Sequence, residues 1–378
     1  MGTSTTPDAS NPGAAPAAPG AAPTGSAILR AVPPPGAGAQ AVDPNDPLGL
    51  FGSTIGGRLA VVRYLGRTHA SYIYRVVHMI MERPCFLKIT EKDPDRPGGL
   101  PPSIEREVAA ATRVRHPAIL KPLDAGTTGS WAHLTQEWSD GPNLRVLIDQ
   151  NPPITVPDML GVAMQLLDAL CELHRAGIVL RAFDPERILV PNLGGRYVLR
   201  LFDMSRVAYV GERLAQESVQ SSRRATGFAI RSTRYMAPDE IREGAADPRS
   251  DLYSMGVLLF EMLTGQYPYA VKGQGPTAYV VSHLREAPRK LDGALRDDLP
   301  ADLPGIIERM LAKRPEDRFE TAEACRRAIM DVVVPDLLRL NNPAQRHVLE
   351  TWRKRVQRGL GRTLEREAID PADLPPGF

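Results

Sequence analysis

The chain has 378 residues, 43% of them apolar, which is enough for one two-lobed domain with a large core plus tails. Its formal net charge of +2 offers no electrostatic case for nucleic acid as a partner. The three cysteines, Cys85, Cys171 and Cys325, are widely spaced and form no Cys-x-x-Cys pair, which argues against a disulfide scaffold or zinc site and for a reducing, cytoplasmic compartment.

Residues 1–45 are dominated by Ala, Pro, Gly, Ser and Thr with few charges. Such a segment cannot bury enough apolar surface to offset the entropy of ordering it, so a disordered tail is expected, ending by residue 52. No basic stretch followed by an apolar run marks a signal peptide. Structure is expected from about Arg58. Runs rich in Val, Ile and Tyr predict strands at Leu59–Leu65, Tyr72–Ile80 and Pro84–Ile89. Helical spacing over Ile104–Arg115 stops before His116-Pro117, and strand character resumes at Ile119–Leu123 and Ala132–Glu137. From Val156 the period changes. Met159, Val162, Ala163, Leu166, Leu167, Leu170 and Leu173 recur at three and four, a buried helix face. The longest apolar run, Met255–Leu263, carries Glu261 and is far too short for a membrane span. Strands first and helices later predict an α+β chain, with a β-rich lobe over about 58–138 and a helical lobe over about 142–334. Residues 335–378 form a helical extension in this reading. Val348, Trp352, Val356, Leu360 and Leu364 repeat at four, beside a basic face of Arg353, Lys354, Arg355, Arg358 and Arg362. That helix either packs on its own domain or meets a partner or an anionic membrane surface; Gly359 and Gly361 weaken it.

Several ordered motifs stand inside this frame. Residues 173–190 read Leu-His-Arg-Ala-Gly-Ile-Val-Leu-Arg-Ala-Phe-Asp-Pro-Glu-Arg-Ile-Leu-Val. Upstream are Gly66-Arg67-Thr68-His69-Ala70-Ser71-Tyr72-Ile73 and Cys85-Phe86-Leu87-Lys88, with Glu107 nine residues before His116. Downstream are Asp203-Met204-Ser205, Met236-Ala237-Pro238-Asp239, Ser250-Asp251-Leu252-Tyr253-Ser254-Met255-Gly256-Val257 and Arg314-Pro315-Glu316-Asp317-Arg318. Together they resemble the eukaryotic-type Ser/Thr protein kinase domain over about residues 58–332, with a bacterial Ala/Pro/Arg bias. The resemblance implies a kinase-like domain over 53–334 with an antiparallel β-rich N-lobe and an α-helical C-lobe.

What the resemblance implies for chemistry is mixed. The family's catalytic loop reads His-Arg-Asp-Leu-x-x-x-Asn, where the Asp takes the substrate hydroxyl's proton and the Asn holds magnesium. Here Ala182 stands at the Asp and Arg187 at the Asn, while Asp184 replaces a lysine that meets the γ-phosphate. A positioned general base is worth roughly 10²–10⁴ in rate, and Ala182 accepts no proton. No catalytic residue is intact, although Asp184 is an alternative base. For ATP, the implied contacts are Gly66 and Ile73 above the base, Leu189 below it, the hinge from Glu137 to Ser139 after the gatekeeper Gln136, and Lys88 paired with Glu107 on the phosphates. Asp203 is the implied magnesium ligand. Only one glycine of the phosphate loop remains, with Thr68 and Ser71 stiffening it. Phe86 replaces a small Ala where the purine would sit, and the Lys88–Glu107 pair has a purely architectural reading beside the phosphate-binding one. Leu180 and Met204 keep the apolar packing positions. Arg206–Arg234 resembles an activation loop. Its Ser218, Ser221, Ser222, Thr226, Ser232 and Thr233, near Arg223, Arg224 and Arg231, are either phosphorylation sites or a solvated polar loop. The expectation is a cytoplasmic pseudokinase, a regulatory or scaffolding module with protein partners, an active kinase among them. A divergent active Ser/Thr kinase and an ATP sensor without phosphotransfer are the alternatives.

Overall fold

The computed structural model describes residues 45–68, 71–92, 99–149, 154–181, 183–193, 196–213, 233–293, 295–296 and 298–337. The expectations for the tail before Asn45, for the hydroxyls of 214–232 and for the helix at 347–367 concern residues outside that set, as does Ala182.

Six antiparallel strands form one sheet in the order β1-β2-β3-β4-β6-β5: Thr54–Ile55 (β1), Leu59–Arg67 (β2), Ser71–His78 (β3), Arg83–Glu91 (β4), Pro122–Thr128 (β5) and Trp131–Glu137 (β6). Gly56 and Gly57 make the first hairpin turn at φ 62° and 63°, a conformation that costs other residues steric strain. The period of two places side chains on opposite faces. In β4, Cys85, Leu87 and Ile89 join Tyr74, Val76 and Trp131 in the outer core, whereas Phe86 and Lys88 point to the opposite face. The register sets Ile73 against Lys88 and Arg75 against Phe86, so these side chains share the face that meets the rest of the molecule.

Several expectations about this lobe are corrected. Structure does not begin near Arg58, and the tail does not run to residue 52. The Asp46 carboxylate accepts the N–H groups of Leu50 (2.9 Å) and Phe51 (2.8 Å) and the Tyr74 hydroxyl (3.2 Å), which folds residues 45–52 onto the outer face. Leu50 and Ile55 are then buried in the outer core. The segment reads as linker because only Leu48, Leu50 and Phe51 are large and apolar; the uncovered sheet face makes their burial favourable. The strand expected at Ile119–Leu123 instead runs over Pro122–Thr128. Its pairing is propagated from the turn at Gly129-Ser130, and it lies at the sheet edge, where a continuous apolar pattern is not required. The strand expected to reach Ile80 ends at His78, because Met79–Glu82 form the turn and Ile80 is 77% exposed.

The remaining elements are helical or short ladders. The helices are Pro102–Arg113 (α1), Leu144–Ile148 (α2), Val156–Arg175 (α3), Pro238–Glu243 (α4), Pro248–Thr264 (α5), Pro276–Arg285 (α6), Leu303–Met310 (α7) and Ala322–Leu337 (α8). Several start with proline in the first turn, where its missing N–H has no intrahelical acceptor to lose. Helix α5 is buried from Ser250 to Leu263, which explains the apolar run there: it is the axis of the helical lobe, packed by α3 and α7. Among the described residues no helix is long and apolar enough to cross a membrane. Among the described residues three two-residue ladders lie between α3 and α4, including Ile188–Leu189 paired with Arg200–Leu201 and Ile178–Val179 paired with Ala208–Tyr209. The architecture is the two-lobed α+β one expected from strands followed by helices.

Candidate active-site cleft

The site lies between the lobes, and Lys88 is its centre. This lysine is fully buried, with its ammonium bonded to Glu107 of α1 and, at 2.5 Å, to Asp203 Oδ1. The first contact places α1 inward against the sheet. The second was not anticipated: Lys88 is shared by two carboxylates. Arg187 approaches the same centre from the other side. The ladder of Ile188–Leu189 with Arg200–Leu201, extended by Phe202 N–H donating to the Arg187 carbonyl (2.8 Å), brings positions 187 and 203 together. Arg187 Nη1 is then 3.4 Å from Asp203 Oδ2, and Nε is 3.9 Å from Asp184 Oδ2.

The charges decide the protonation states. Burial by itself pushes the Asp203 carboxyl up, but the Lys88 and Arg187 charges beside it overcome that and hold it well below the usual carboxylate range. Glu107 shifts the other way, pushed up by burial and by the nearby Asp203 against the pull of Lys88. Lys88 itself is lowered by burial but raised more by its two carboxylates, so it stays an ammonium. Asp203 sits at φ 60° and Arg181 at φ 61°, left-handed conformations that are strained for side-chain-bearing residues. Asp203 is held there by the two cations. Arg181 is held by the buried Asp251, which accepts the N–H of Leu180 (2.9 Å) and of Arg181 (2.8 Å) and pairs with His174 (2.8 Å). Arg181 also donates from Nε to Glu240 at 2.7 Å.

Next to this charged centre is an aromatic one. Phe86 packs between Trp138 of the hinge (ring centroids 4.4 Å apart) and Phe202 (4.7 Å), with Ile73, Leu120 and Leu189 around them. The Arg75 guanidinium covers the Trp138 ring at 5.0 Å. In front of this cluster lies an open cleft of about 460 Å³, lined by Gly66, Arg67, Thr68, Ser139, Asn143, Asp184, Glu186 and Arg187 among others. Phe86 therefore takes the innermost part of the space and forms its wall, leaving the outer part open. Gly141, at φ 110°, closes the hinge side; a Cβ there would lie 2.7 Å from the Pro191 backbone.

The sequence-derived residues fall as follows. Gly66, Ile73, Ser139 and Leu189 line the cleft, and Lys88, Glu107 and Asp203 converge behind it. Glu137 is in the hinge, where its N–H is used by the Lys121 carbonyl (3.0 Å). Thr68 lines the cleft, but Ser71 does not: its hydroxyl is buried against Thr90 at 2.5 Å. Asp184 faces the cleft, yet its Oδ1 accepts the Glu186 N–H (3.0 Å) and caps the short turn Pro185–Arg187. Leu180 and Met204 share one core cluster, and the arginine that meets Asp239 is Arg318, at 2.6 Å. The aromatic cluster was missed apart from Phe86. Trp138 and Phe202 each flank a motif position, and nothing in the local sequence shows that they converge.

A guanidinium has only donors and cannot ligate a cation. With Arg187 at 3.4 Å from Asp203 Oδ2 and Lys88 on Oδ1, both carboxylate oxygens already face a fixed positive charge. The set does not fit a divalent ion. For nucleotide, the cleft supplies backbone and apolar walls, with its inner part taken by Phe86.

Residues 59–330 match the protein kinase domain family. The chain is similar to the serine/threonine-protein kinase PknL of Mycobacterium tuberculosis, 30% identical over 281 residues that cover 73% of this chain and 65% of that protein. It is likewise similar to the serine/threonine-protein kinase PrkC of Bacillus subtilis, 27% over 274 residues (72% and 40%). For the serine/threonine-protein kinase PknB of Mycobacterium tuberculosis the identity is 28% over 294 residues (77% and 44%). The matched part thus spans between 40 and 65% of the length of these relatives.

Proposed function

The chain belongs to the protein kinase domain family, and we propose that within it this protein is a regulatory or scaffolding module that does not transfer phosphate. It acts in the cytoplasm through protein partners, an active kinase among them. The observation that carries this is the use made of Asp184. Position 182 is alanine, so the proton acceptor for a substrate hydroxyl has to come from elsewhere, and Asp184 is the nearest carboxylate in sequence. Its Oδ1 is spent capping the Pro185–Arg187 turn and its Oδ2 faces Arg187. Both of its oxygens are thus engaged within the chain, one by a turn N–H and the other by a guanidinium.

The scaffold supports a protein that uses its shape. Asp251 holds the 180–181 backbone, Arg318 binds Asp239, and Lys88 joins β4 to α1. Serine/threonine kinase activity, the activity named for the relatives, is the second reading; the paired Lys88 and Glu107 favour it. Nucleotide sensing without transfer is opposed by Phe86 and favoured by the open outer cleft.

Phosphotransfer from radiolabelled ATP, to the chain itself and to a generic protein substrate, tests the proposal. Transfer at background is the expected result, for wild type and for Asp184→Asn alike. Autophosphorylation that Asp184→Asn abolishes and Ala182→Asp does not enhance would sink it and make Asp184 the catalytic base.

A further inference from the structure

A divalent ion and a guanidinium both neutralise carboxylates, but only one of them can occupy the same space. Asp203 and Asp184 present Oδ2 atoms toward a common point, and the Arg187 side chain lies between them, 3.4 Å from one and 3.9 Å from the other. Arg187 Nη1 is also 3.4 Å from the Asp203 carbonyl. Its side chain is only slightly exposed, at 13%. On the far side, Lys88 faces Asp203 Oδ1 at 2.5 Å. Magnesium needs oxygen ligands at about 2.0–2.1 Å in near-octahedral array. An ion that close to Asp203 Oδ2 would meet a permanent cation with no lone pair to offer.

We infer that Arg187 is a built-in counter-cation that occupies the divalent-ion position and closes this site to metal. The chain therefore keeps Asp203 compensated at all times, where a metal-dependent site is compensated only when loaded. The inference concerns metal binding alone and does not depend on whether phosphate is transferred.

Manganese is the probe, followed by thermal unfolding and by the electron paramagnetic resonance signal of the free aqueous ion. Wild type is expected to unfold at the same temperature in EDTA and in millimolar manganese, and to leave the free-ion signal undiminished. Arg187→Asn strands two carboxylates and supplies an amide oxygen. It is expected to unfold at lower temperature in EDTA, to recover part of that loss with manganese, and to bind the ion at least about tenfold more tightly than wild type. Arg187→Met strands the same carboxylates without a ligand, so it should lose stability with less recovery; Arg187→Lys should keep both the stability and the indifference to metal. Manganese binding by wild type that Asp203→Asn removes would overturn the inference. So would a folded Arg187→Asn protein that is as stable as wild type and as indifferent to manganese. If Arg187→Asn does not fold, the wild-type and Asp203→Asn measurements still decide.

Discussion

Lys88 compensates two buried carboxylates at once, so its loss is felt twice. Removing one partner of a buried ion pair costs about 3–5 kcal/mol, because the remaining charge has neither water nor counter-ion. Lys88→Met is therefore expected to lower stability by at least about that amount with no nucleotide present, and denaturant unfolding measures it. An unchanged midpoint would show that Glu107 and Asp203 find other compensation. Phe86 has the opposite balance between stability and binding. Phe86→Ala removes the ring wedged between Trp138 and Phe202 and should cost about 3–5 kcal/mol of stability. The same truncation extends the cleft inward, so titration with a fluorescent adenine nucleotide should show tighter binding than wild type. Equal or weaker binding would mean that the ring is not what limits access.

At the scale of elements, the covered outer face of the sheet is the unexpected feature. One aspartate organises it: Asp46 accepts two backbone N–H groups and the hydroxyl of Tyr74, a fully buried side chain of β3. Each such bond is worth about 0.5–1.5 kcal/mol net. Asp46→Ala, which removes all three, should thus cost about 1.5–4.5 kcal/mol and release residues 45–52 from the sheet. Limited proteolysis checks this: cleavage between Asn45 and Gly52 should accelerate well before cleavage within β2 to β4. Uniform acceleration across the lobe would show that the segment and the sheet open as one unit. The helix α1 is tied in two ways, by Glu107 to Lys88 and by Arg106 to Glu212 at 2.5 Å. The second tie is partly exposed and worth little by itself, so the buried pair holds the helix inward.

For the whole molecule, acid sensitivity follows from His283. This residue of α6 is fully buried, with Nδ1 at 2.8 Å from the Tyr253 hydroxyl and Nε2 at 3.0 Å from the Arg234 carbonyl, joining α5, α6 and the stretch just before α4. Burial, and then the charge of Lys313, push its imidazole down from 6.5 to about 3. The folded state thus holds it neutral while the unfolded chain takes up a proton below about 6.5. The associated stability is complete above that pH and is lost as pH falls toward the folded value, at about 1.4 kcal/mol per pH unit. Urea unfolding across mildly acidic pH should show that loss, and His283→Gln should flatten it from a lower starting stability. An identical pH slope in the variant would assign acid unfolding to other groups.

The order of amino acids alone determined the fold class, the start of α3 at Val156 with its buried face, and the arrangement of motifs, because these depend on hydrophobic period and spacing within short windows. The resemblance of its motifs also implied that Lys88 would meet Glu107, and the charges at the neighbouring motif positions implied that Arg187 would meet Asp203 or Asp184. Only the tertiary structure decided the rest. That Lys88 serves Asp203 as well as Glu107, that Trp138 and Phe202 close on Phe86, and that Asp184 is used as a cap are contacts whose partners converge only in the folded chain. The same holds for Leu50 and for β5: a short apolar segment or a strand without a continuous apolar pattern carries no periodic signal, and what orders each is a surface supplied by residues distant in sequence.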